Sequence, residues 1–353
     1  MSSGDPQDDL PFVSVIIPTR NEEGYLRACL DSLLTGSYPM ERMEILVVDG
    51  LSDDRTPEIV QEFTQRHSSV KLLENPARVV PNAMNVGIRA ARGDFIVRVD
   101  AHAHYGPDYV LQLISWLRRL DADNVGGVCI ARPASEQPEA QAVALIASHP
   151  FGLGGAAFRL GSGPEPMQVD TVPFGCYPRQ VFDRIGLFDE ALVRNQDDEL
   201  NGRLLKAGGR IFLVPQIKID HYQRPSLRKM GLMLYQYGYF KPLVAIKLGH
   251  PATWRQLAPP VFTGALLGLP LGFFFFPWTA LVWAALLGTH TAANVAVSLA
   301  QSSRHGRRLF PYLLRGHLVA HLSYGFGYLR GVVDFVFLRR HLSKARSNVP
   351  ISR

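Results

Sequence analysis

The most informative residues of this chain are Gly93-Asp94-Phe95-Ile96-Val97-Arg98-Val99-Asp100-Ala101-His102. The apolar run from Phe95 to Val99 predicts a buried strand. Asp100 and His102 leave that strand at positions i and i+2, so their side chains point the same way in extended backbone. Two such side chains can hold one divalent cation and connect it to a bound diphosphate. We therefore predict a metal and phosphate site at the end of this strand.

The same strand is the last of several strand and helix units that begin at residue 13. Strands are predicted at residues 13–17, 44–48, 70–73 and 95–99, and helices after residue 19, at 56–63 and at 82–91. Alternation of this kind predicts an α/β fold, a Rossmann-like, mostly parallel sheet flanked by helices. Ligands of such sheets bind beyond the carboxyl ends of the strands, where Asp49 and Asp100 both lie.

A second part of the chain is indicated by its charge pattern. From His221 to Val333 there is no Asp or Glu, although Lys and Arg occur eleven times. Residues 256–303 contain no Asp, Glu, Lys or Arg, and His290 within them is expected to be neutral. A membrane crossing needs about 20 apolar residues. We therefore predict a C-terminal α-helical membrane region at residues 246–338, after an α/β domain at residues 12–245.

The membrane region is predicted to contain a transmembrane hairpin at about 257–276 and 278–299, with Pro277 at the reversal. Basic residues flank both arms, so both ends are expected on the cytoplasmic side. Residues 309–338 contain Arg315, Arg330 and Asp334, which favours an interfacial or re-entrant helix, with a third span as the alternative. A buried helix pair of a soluble protein explains the long charge-free stretch less well.

The net charge and the two terminal segments indicate the expected partner and location of the protein. The net charge is +6, but the basic residues flank apolar spans and form no nucleic-acid motif, so membrane lipid is the expected partner and nucleic acid is not. Residues 1–11 are predicted to be flexible and carry no signal peptide, while residues 339–353 form a basic cytoplasmic tail. The expected location is the inner, or cytoplasmic, membrane, as a multi-pass protein with its α/β domain facing the cytoplasm.

Five segments in order carry a family resemblance. They are Val15 to Glu23, Val47 to Asp53, Val99 to His102, Phe188 to Glu190, and Asn195 to Leu200. With these segments the chain resembles the family 2 glycosyltransferases of the GT-A fold. Arg98-Val-Asp100-Ala-His102 and Gln236-Tyr-Gly238-Tyr make it most similar to the succinoglycan-biosynthesis, ExoA-like branch. The resemblance covers residues 12–245 and extends loosely into the membrane region.

The resemblance implies which residues bind the donor, a UDP-sugar. The nucleotide pocket would be lined by Pro18, Thr19, Asn21, Glu22, Asp49, Arg78 and Asp100. Asp49 would accept a hydrogen bond from the uracil or the ribose, although a role in a turn or as a helix cap is the alternative for an aspartate here. Asp100 and His102 would hold Mn²⁺ or Mg²⁺; His102 stands where the family usually has a second acid, which shifts the preference toward Mn²⁺. Alternatively His102 only hydrogen-bonds nearby.

Asp197 corresponds to the general base of the family's Glu-Asp element, and Asp198 is the rival. The chain departs from the usual pattern because Gln196 stands in place of Glu. An acceptor hydroxyl becomes a good nucleophile when a carboxylate within hydrogen-bond reach takes its proton. The implied function is inverting transfer of a hexose, with glucose favoured, to a polyprenyl diphosphate-linked saccharide in bacterial exopolysaccharide or cell-surface glycan synthesis.

Three other functions share some of these sequence features. A processive polysaccharide synthase usually carries a Gln-x-x-Arg-Trp element, but Gln236 is followed by Tyr-Gly-Tyr. A sugar-phosphate nucleotidyltransferase would need a glycine-rich phosphate loop near residue 18, which is absent. A catalytically inactive nucleotide-sugar-binding scaffold would explain both Gln196 and His102 as departures from the catalytic pattern.

Overall fold

A computed structural model of the chain describes residues 10–161, 163–251 and 253–340. Within them the chain divides into two units, residues 10–130 with 161–221 and residues 131–160 with 222–340. Residues 222–245, predicted as part of the α/β domain, thus group with the C-terminal helices. Most of the predicted flexible N-terminus (1–9) and of the basic tail (341–353) lies outside the described residues.

Nine strands are described. In chain order they are β1 (Val13–Thr19), β2 (Met43–Asp49), β3 (Val70–Glu74), β4 (Phe95–Arg98), β5 (Ala103–Tyr105), β6 (Asn124–Arg132), β7 (Met167–Gln168), β8 (Cys176–Pro178) and β9 (Ile211–Tyr222). β1 to β4 correspond to the four apolar runs that the sequence predicts as strands. Their apolar side chains are buried: Val15, Val47 and Val97, for example, are all fully buried in one core cluster.

Thirteen α-helices are described, nine of them before residue 207. These nine are α1 (Leu26–Leu34), α2 (Thr56–Arg66), α3 (Val80–Ala90), α4 (Tyr109–Arg119), α5 (Pro138–Ala147), α6 (Pro150–Leu153), α7 (Ala157–Leu160), α8 (Arg179–Ile185) and α9 (Gln196–Lys206). The last four are α10 (Leu227–Leu248), α11 (Ala258–Gly268), α12 (Trp278–His305) and α13 (Phe310–Gly331). Short 3₁₀ turns cover Met40–Arg42, Trp254–Leu257, Leu269–Gly272 and Arg307–Leu309, and a π-turn covers Val332–Phe337.

The nine strands form a single mixed sheet in the order β3-β2-β1-β4-β8-β6-β9-β5, with β7 beside β9. β3, β2, β1 and β4 pair in parallel. The β4–β8, β6–β8, β5–β9 and β7–β9 pairs are antiparallel. The prediction of a mostly parallel sheet is therefore wrong for the second half of the sheet. The end of β4 lies where parallel pairing gives way to antiparallel pairing.

The C-terminal unit differs from the predicted hairpin in its first arm. α12 coincides with the predicted second arm, and among the described residues it is the one helix long and apolar enough to cross a membrane. The predicted first arm contains α11, which has 11 residues, followed by the 3₁₀ turn Leu269–Gly272. Pro270 lies in that turn, and because proline lacks an N–H and blocks the preceding turn, it interrupts a continuous helix there.

α10 and α13 pack closely because glycines line their contact. An added Cβ at Gly238 would meet the carbonyl oxygen of Tyr324, and one at Gly327 would meet that of Tyr235. Small residues of this kind allow two helix backbones to approach directly. Asp334, just beyond α13, is 1% exposed and is compensated by Tyr239 Oη at 2.9 Å and Arg330 Nε at 3.0 Å. This pairing removes the cost of a lone carboxylate in an apolar region.

Gly327→Ala is expected to destabilise the protein by about 1–3 kcal/mol, because the new methyl group overpacks a backbone contact. The matched control is Gly288→Ala on α12, where an added Cβ meets nothing within 4 Å. Alanine forms helices better than glycine, so the control is expected to be neutral or slightly stabilising. Thermal unfolding of the detergent-solubilised protein measures both. Equal melting temperatures for the two variants would contradict the close-packing explanation.

Candidate active site

Three potential metal ligands meet beside the end of β4. Asp100 follows β4, and His102 lies in a turn rather than in the extended backbone that the sequence predicted. His221 is the residue of β9 that pairs with Ala103 of β5. One donor atom from each of Asp100, His102 and His221 lies within 4.8 Å of the other two. The structure thus brings together the two predicted ligands and adds a third that the sequence did not identify.

The distances within this group suit a shared cation. His102 Nδ1 lies 3.2 Å from Asp100 Oδ1, and His221 Nε2 lies 3.7 Å from Asp100 Oδ2. The side chains of Asp100, His102 and His221 are 22%, 13% and 20% exposed, so an ion can reach them. Burial would raise the pKa of Asp100, but His102, His221 and Arg98 lower that pKa well below its usual range. One ionised carboxylate with two imidazoles is a donor set that fits a divalent transition metal.

His104 lies outside this group, although it follows His102 by two residues. Its side chain is exposed on β5. His221 was not predicted as a metal ligand, because it lies 119 residues beyond His102 and only the antiparallel pairing of β5 with β9 brings the two together.

The loops after β1 and β2 form a hydrogen-bonded wall at the carboxyl ends of these strands. The Asn21 backbone N–H donates to Ser52 Oγ at 2.8 Å, and Asn21 Oδ1 accepts from the Asp53 N–H at 3.1 Å. Asp49 accepts from the Ser52 N–H at 3.0 Å and from Ser52 Oγ at 2.5 Å. Asn21 and Asp49, both predicted to bind the donor nucleotide, therefore lie side by side. Asp49 also has the turn role that the sequence left as its alternative.

The other predicted donor residues lie along the same edge. Pro18 and Thr19 end β1, where Thr19 pairs with Asp49. Glu22 Oε1 lies 3.1 Å from His102 Nδ1, which connects the wall to the metal-capable group. Arg78 follows β3 in a left-handed conformation, with φ of 61°, and its Cα lies against Gly50. All seven residues predicted for the donor pocket are thus at the carboxyl ends of β1 to β4.

Asp197 lies in the first turn of α9. Its Oδ1 accepts a hydrogen bond from Nη1 of Arg98 on β4. Burial raises the pKa of Asp197, and Arg98 opposes that rise. Arg98 Cζ lies 5.6 Å from the ring of Phe174, whose centroid is 5.3 Å from that of His221. The candidate base and the metal-capable group are therefore connected through Arg98 and Phe174.

Two asparagines of α3 have a structural role. The sequence predicts this helix from residue 82, but α3 begins at Val80, and Asn82 Nδ2 donates to Glu190 at 2.6 Å. Asn85 Nδ2 donates to Glu190 at 2.9 Å and to the Phe188 carbonyl at 2.9 Å. These bonds hold the Phe188 to Glu190 segment, one of the landmarks noted in the sequence, against the helix.

Comparison with known proteins identifies relatives along nearly the whole chain. Residues 14–185 match the sequence model described as Glycosyl transferase family 2. The dolichyl N-acetyl-alpha-D-glucosaminyl phosphate 3-beta-D-2,3-diacetamido-2,3-dideoxy-beta-D-glucuronosyltransferase of Methanococcus voltae is 28% identical over 333 residues, covering 91% of this chain and 97% of that protein. The succinoglycan biosynthesis protein ExoA of Rhizobium meliloti (strain 1021) is 27% identical over 340 residues, covering 93% and 98%.

A solved structure shares the fold. The mannosyltransferase PcManGT from Pyrobaculum calidifontis, solved in complex with GDP-Man and Mn²⁺, superimposes with a TM-score of 0.56 at 21% sequence identity. The match covers 93% of this chain and 89% of that one. At this identity the likeness concerns the fold alone, which is a mixed sheet with flanking helices.

Proposed function

Residues 14–185 of this chain belong to glycosyl transferase family 2, and on that premise we propose that it transfers a hexose from a UDP-sugar to a lipid-linked saccharide. The observation that carries the proposal is one cluster of side chains at the end of β4. It contains the metal-capable group Asp100, His102 and His221 and the partly buried carboxylate of Asp197. A cation site can stabilise the leaving diphosphate of a nucleotide sugar, and a carboxylate can take the proton of the acceptor hydroxyl.

The donor would bind along the wall at the carboxyl ends of β1 to β4. Asp49 and Asn21 face the same loop, where a base or ribose has hydrogen-bonding partners. Asp100, His102 and His221 would hold Mn²⁺ in preference to Mg²⁺, since Mg²⁺ favours oxygen ligands. When bound, the ion would neutralise the developing charge on the leaving diphosphate.

Asp197 would take the proton of the acceptor hydroxyl as that oxygen attacks the anomeric carbon. Its side chain is 23% exposed, so an acceptor sugar can reach it. Attack opposite to the leaving nucleotide inverts the configuration, and an α-linked donor would give a β-linked product without a covalent glycosyl-enzyme. The name of the Methanococcus voltae relative specifies a β-linked product, which supports this stereochemistry.

The acceptor is proposed to be a saccharide on polyprenyl diphosphate at the cytoplasmic leaflet. The relative from Methanococcus voltae is named for a dolichyl-linked acceptor, and the one from Rhizobium meliloti for succinoglycan biosynthesis. α12 is long and apolar enough to anchor the protein in a membrane, and the residues from 222 to 333 contain no acidic side chain. Basic residues near a membrane attract anionic lipid phosphates.

A donor screen tests the proposal. The detergent-solubilised full chain is mixed with UDP-glucose, other UDP-sugars or GDP-mannose, with Mn²⁺ or Mg²⁺, and with a polyprenyl diphosphate-linked saccharide. We expect nucleotide release with UDP-glucose and Mn²⁺, and one β-linked sugar added per acceptor by NMR. Turnover with GDP-mannose and with none of the UDP-sugars would identify GDP-mannose as the donor in place of a UDP-sugar. Long polymers would indicate a processive synthase, and nucleotide binding without turnover would indicate a scaffold.

A further inference from the structure

Arg98 is a buried arginine in a strand that is otherwise apolar. It lies on β4 between Val97 and Val99, which are fully buried, and is itself 7% exposed. One guanidinium nitrogen donates to Asp197, while Nε is buried without a hydrogen-bond partner among the residues described. A buried arginine without a counter-charge is strongly destabilising. The carboxylate of Asp197 supplies the counter-charge for Arg98.

The surroundings of Arg98 place it between the two chemical centres of the site. It precedes Asp100 by two residues, and its guanidinium lies 5.6 Å from the ring of Phe174. Its ion pair is with the carboxylate of Asp197, and Asp100 is a second negative charge that acts on it.

We propose that Arg98 is a positioning residue that holds the partly buried Asp197 side chain in place, and as a carboxylate, for glycosyl transfer. The proposal rests on the assignment of Asp197 as the base under the proposed function. A guanidinium is planar and offers five donors, so it restricts the orientation of a carboxylate more than a lysine ammonium does.

The charges around Asp197 explain why such a residue is needed. Burial, Asp198 on the same helix and Asp100 beyond β4 all raise the pKa of Asp197, and Arg98 on β4 opposes them. Tyr177 on β8 also faces Asp197 and stays neutral, since burial raises its pKa. A protonated acid cannot accept a proton from the acceptor. Arg98 is thus the one positive charge among these groups that keeps the carboxyl ionised.

Thermal unfolding of the full chain without substrate tests the pair directly. Arg98→Gln leaves Asp197 buried without its cation, so its pKa rises further in the folded state. The folded state of this variant then gains stability as the pH falls through that pKa, because protonation removes the unpaired charge. We expect its melting temperature to be below wild type at pH 8, and the difference to narrow toward pH 5. A difference that does not change with pH would overturn the proposal.

Two further variants separate charge from packing. Arg98→Lys keeps the charge and is expected to lose less stability than Arg98→Gln. The double variant Arg98→Gln/Asp197→Asn removes both charges and is expected to recover stability relative to Arg98→Gln. If Arg98→Gln does not fold, recovery of folding in the double variant supports the proposal, and a double variant that also fails to fold overturns it.

The pH dependence of turnover gives the second readout, with UDP-glucose as the probe and nucleotide release as the signal. In Arg98→Gln the acidic limb of the plot of kcat against pH is expected to shift to higher pH by about one unit or more, with little change in the KM for donor. Arg98→Lys should keep the limb near wild type with a lower kcat. An unmoved limb in Arg98→Gln overturns the proposal. If Asp197→Asn keeps turnover, the base assignment fails instead, and the unfolding results still report on the ion pair.

Discussion

Asp197→Asn is expected to lower the rate of sugar transfer by about 10²–10⁴-fold while nucleotide-sugar binding persists. Asparagine keeps the size of the side chain but cannot accept the proton of an acceptor hydroxyl. The residues proposed to bind the donor follow the carboxyl ends of β1 to β4 and do not include Asp197, so donor affinity should depend little on this carboxylate. Single-turnover transfer and donor titration, each at saturating Mn²⁺, measure the two effects separately.

The same substitution should lower stability, which distinguishes it from a change confined to catalysis. Arg98 is 9% exposed at its side chain and would lose its anionic partner, a change that costs about 3–5 kcal/mol at buried pairs. Binding must therefore be measured well below the melting temperature of the variant. Asp198→Asn is the matched control. Full transfer in Asp197→Asn with loss in Asp198→Asn would move the base by one residue.

Asp100→Ala is expected to abolish Mn²⁺ binding and to weaken both donor binding and transfer. Asp100 is the one carboxylate of the metal-capable group, and its two oxygens face His102 and His221 at 3.2 Å and 3.7 Å. Without it, two imidazoles remain, and the pyrophosphate of the donor loses its bridge to the protein. Mn²⁺ titration followed by electron paramagnetic resonance measures affinity without any turnover, and donor titration with and without the ion completes the comparison.

His221→Ala tests the ligand that the sequence did not identify, and His104→Ala is its control. Loss of a ligand should weaken Mn²⁺ binding by at least about 10-fold. His104 is exposed and two residues from His102, yet outside the group, so its removal should leave the affinity unchanged. Wild-type Mn²⁺ affinity in His221→Ala would reduce the site to the two ligands predicted from the sequence.

The part of the fold that could be predicted is the part with a strong periodic signal. β1 to β4 are apolar runs of four to seven residues, and the helices between them follow from spacing and turn residues. β5 and β8 have three residues each and β7 has two, which is too short for any periodicity to be recognised. These three short strands, all in the antiparallel half of the sheet, therefore gave no periodic signal in the sequence.

The candidate site shows the same division between local and distant information. Asp100 and His102 are two residues apart, so local spacing was enough to predict that their side chains lie close together. Arg98 could be seen as an anomaly in an apolar strand, but its partner Asp197 lies 99 residues later and is identified only through the fold. His221 depends on the pairing of β5 with β9 in the same way. Local spacing thus predicted the two candidate ligands that follow one strand, whereas His221 and the pairing of Arg98 with Asp197 depend on the topology of the fold.

The hydrogen bonds between the loops after β1 and β2 have a kinetic consequence. Asn21, Asp49 and Ser52 fix one another through three bonds of 3.0 Å or less, so this face of the pocket is assembled before any nucleotide arrives. A preorganised face loses little conformational entropy on association. Capture of the base and ribose should then proceed in a single phase whose rate rises linearly with donor concentration, with no slow rearrangement of these loops to limit it.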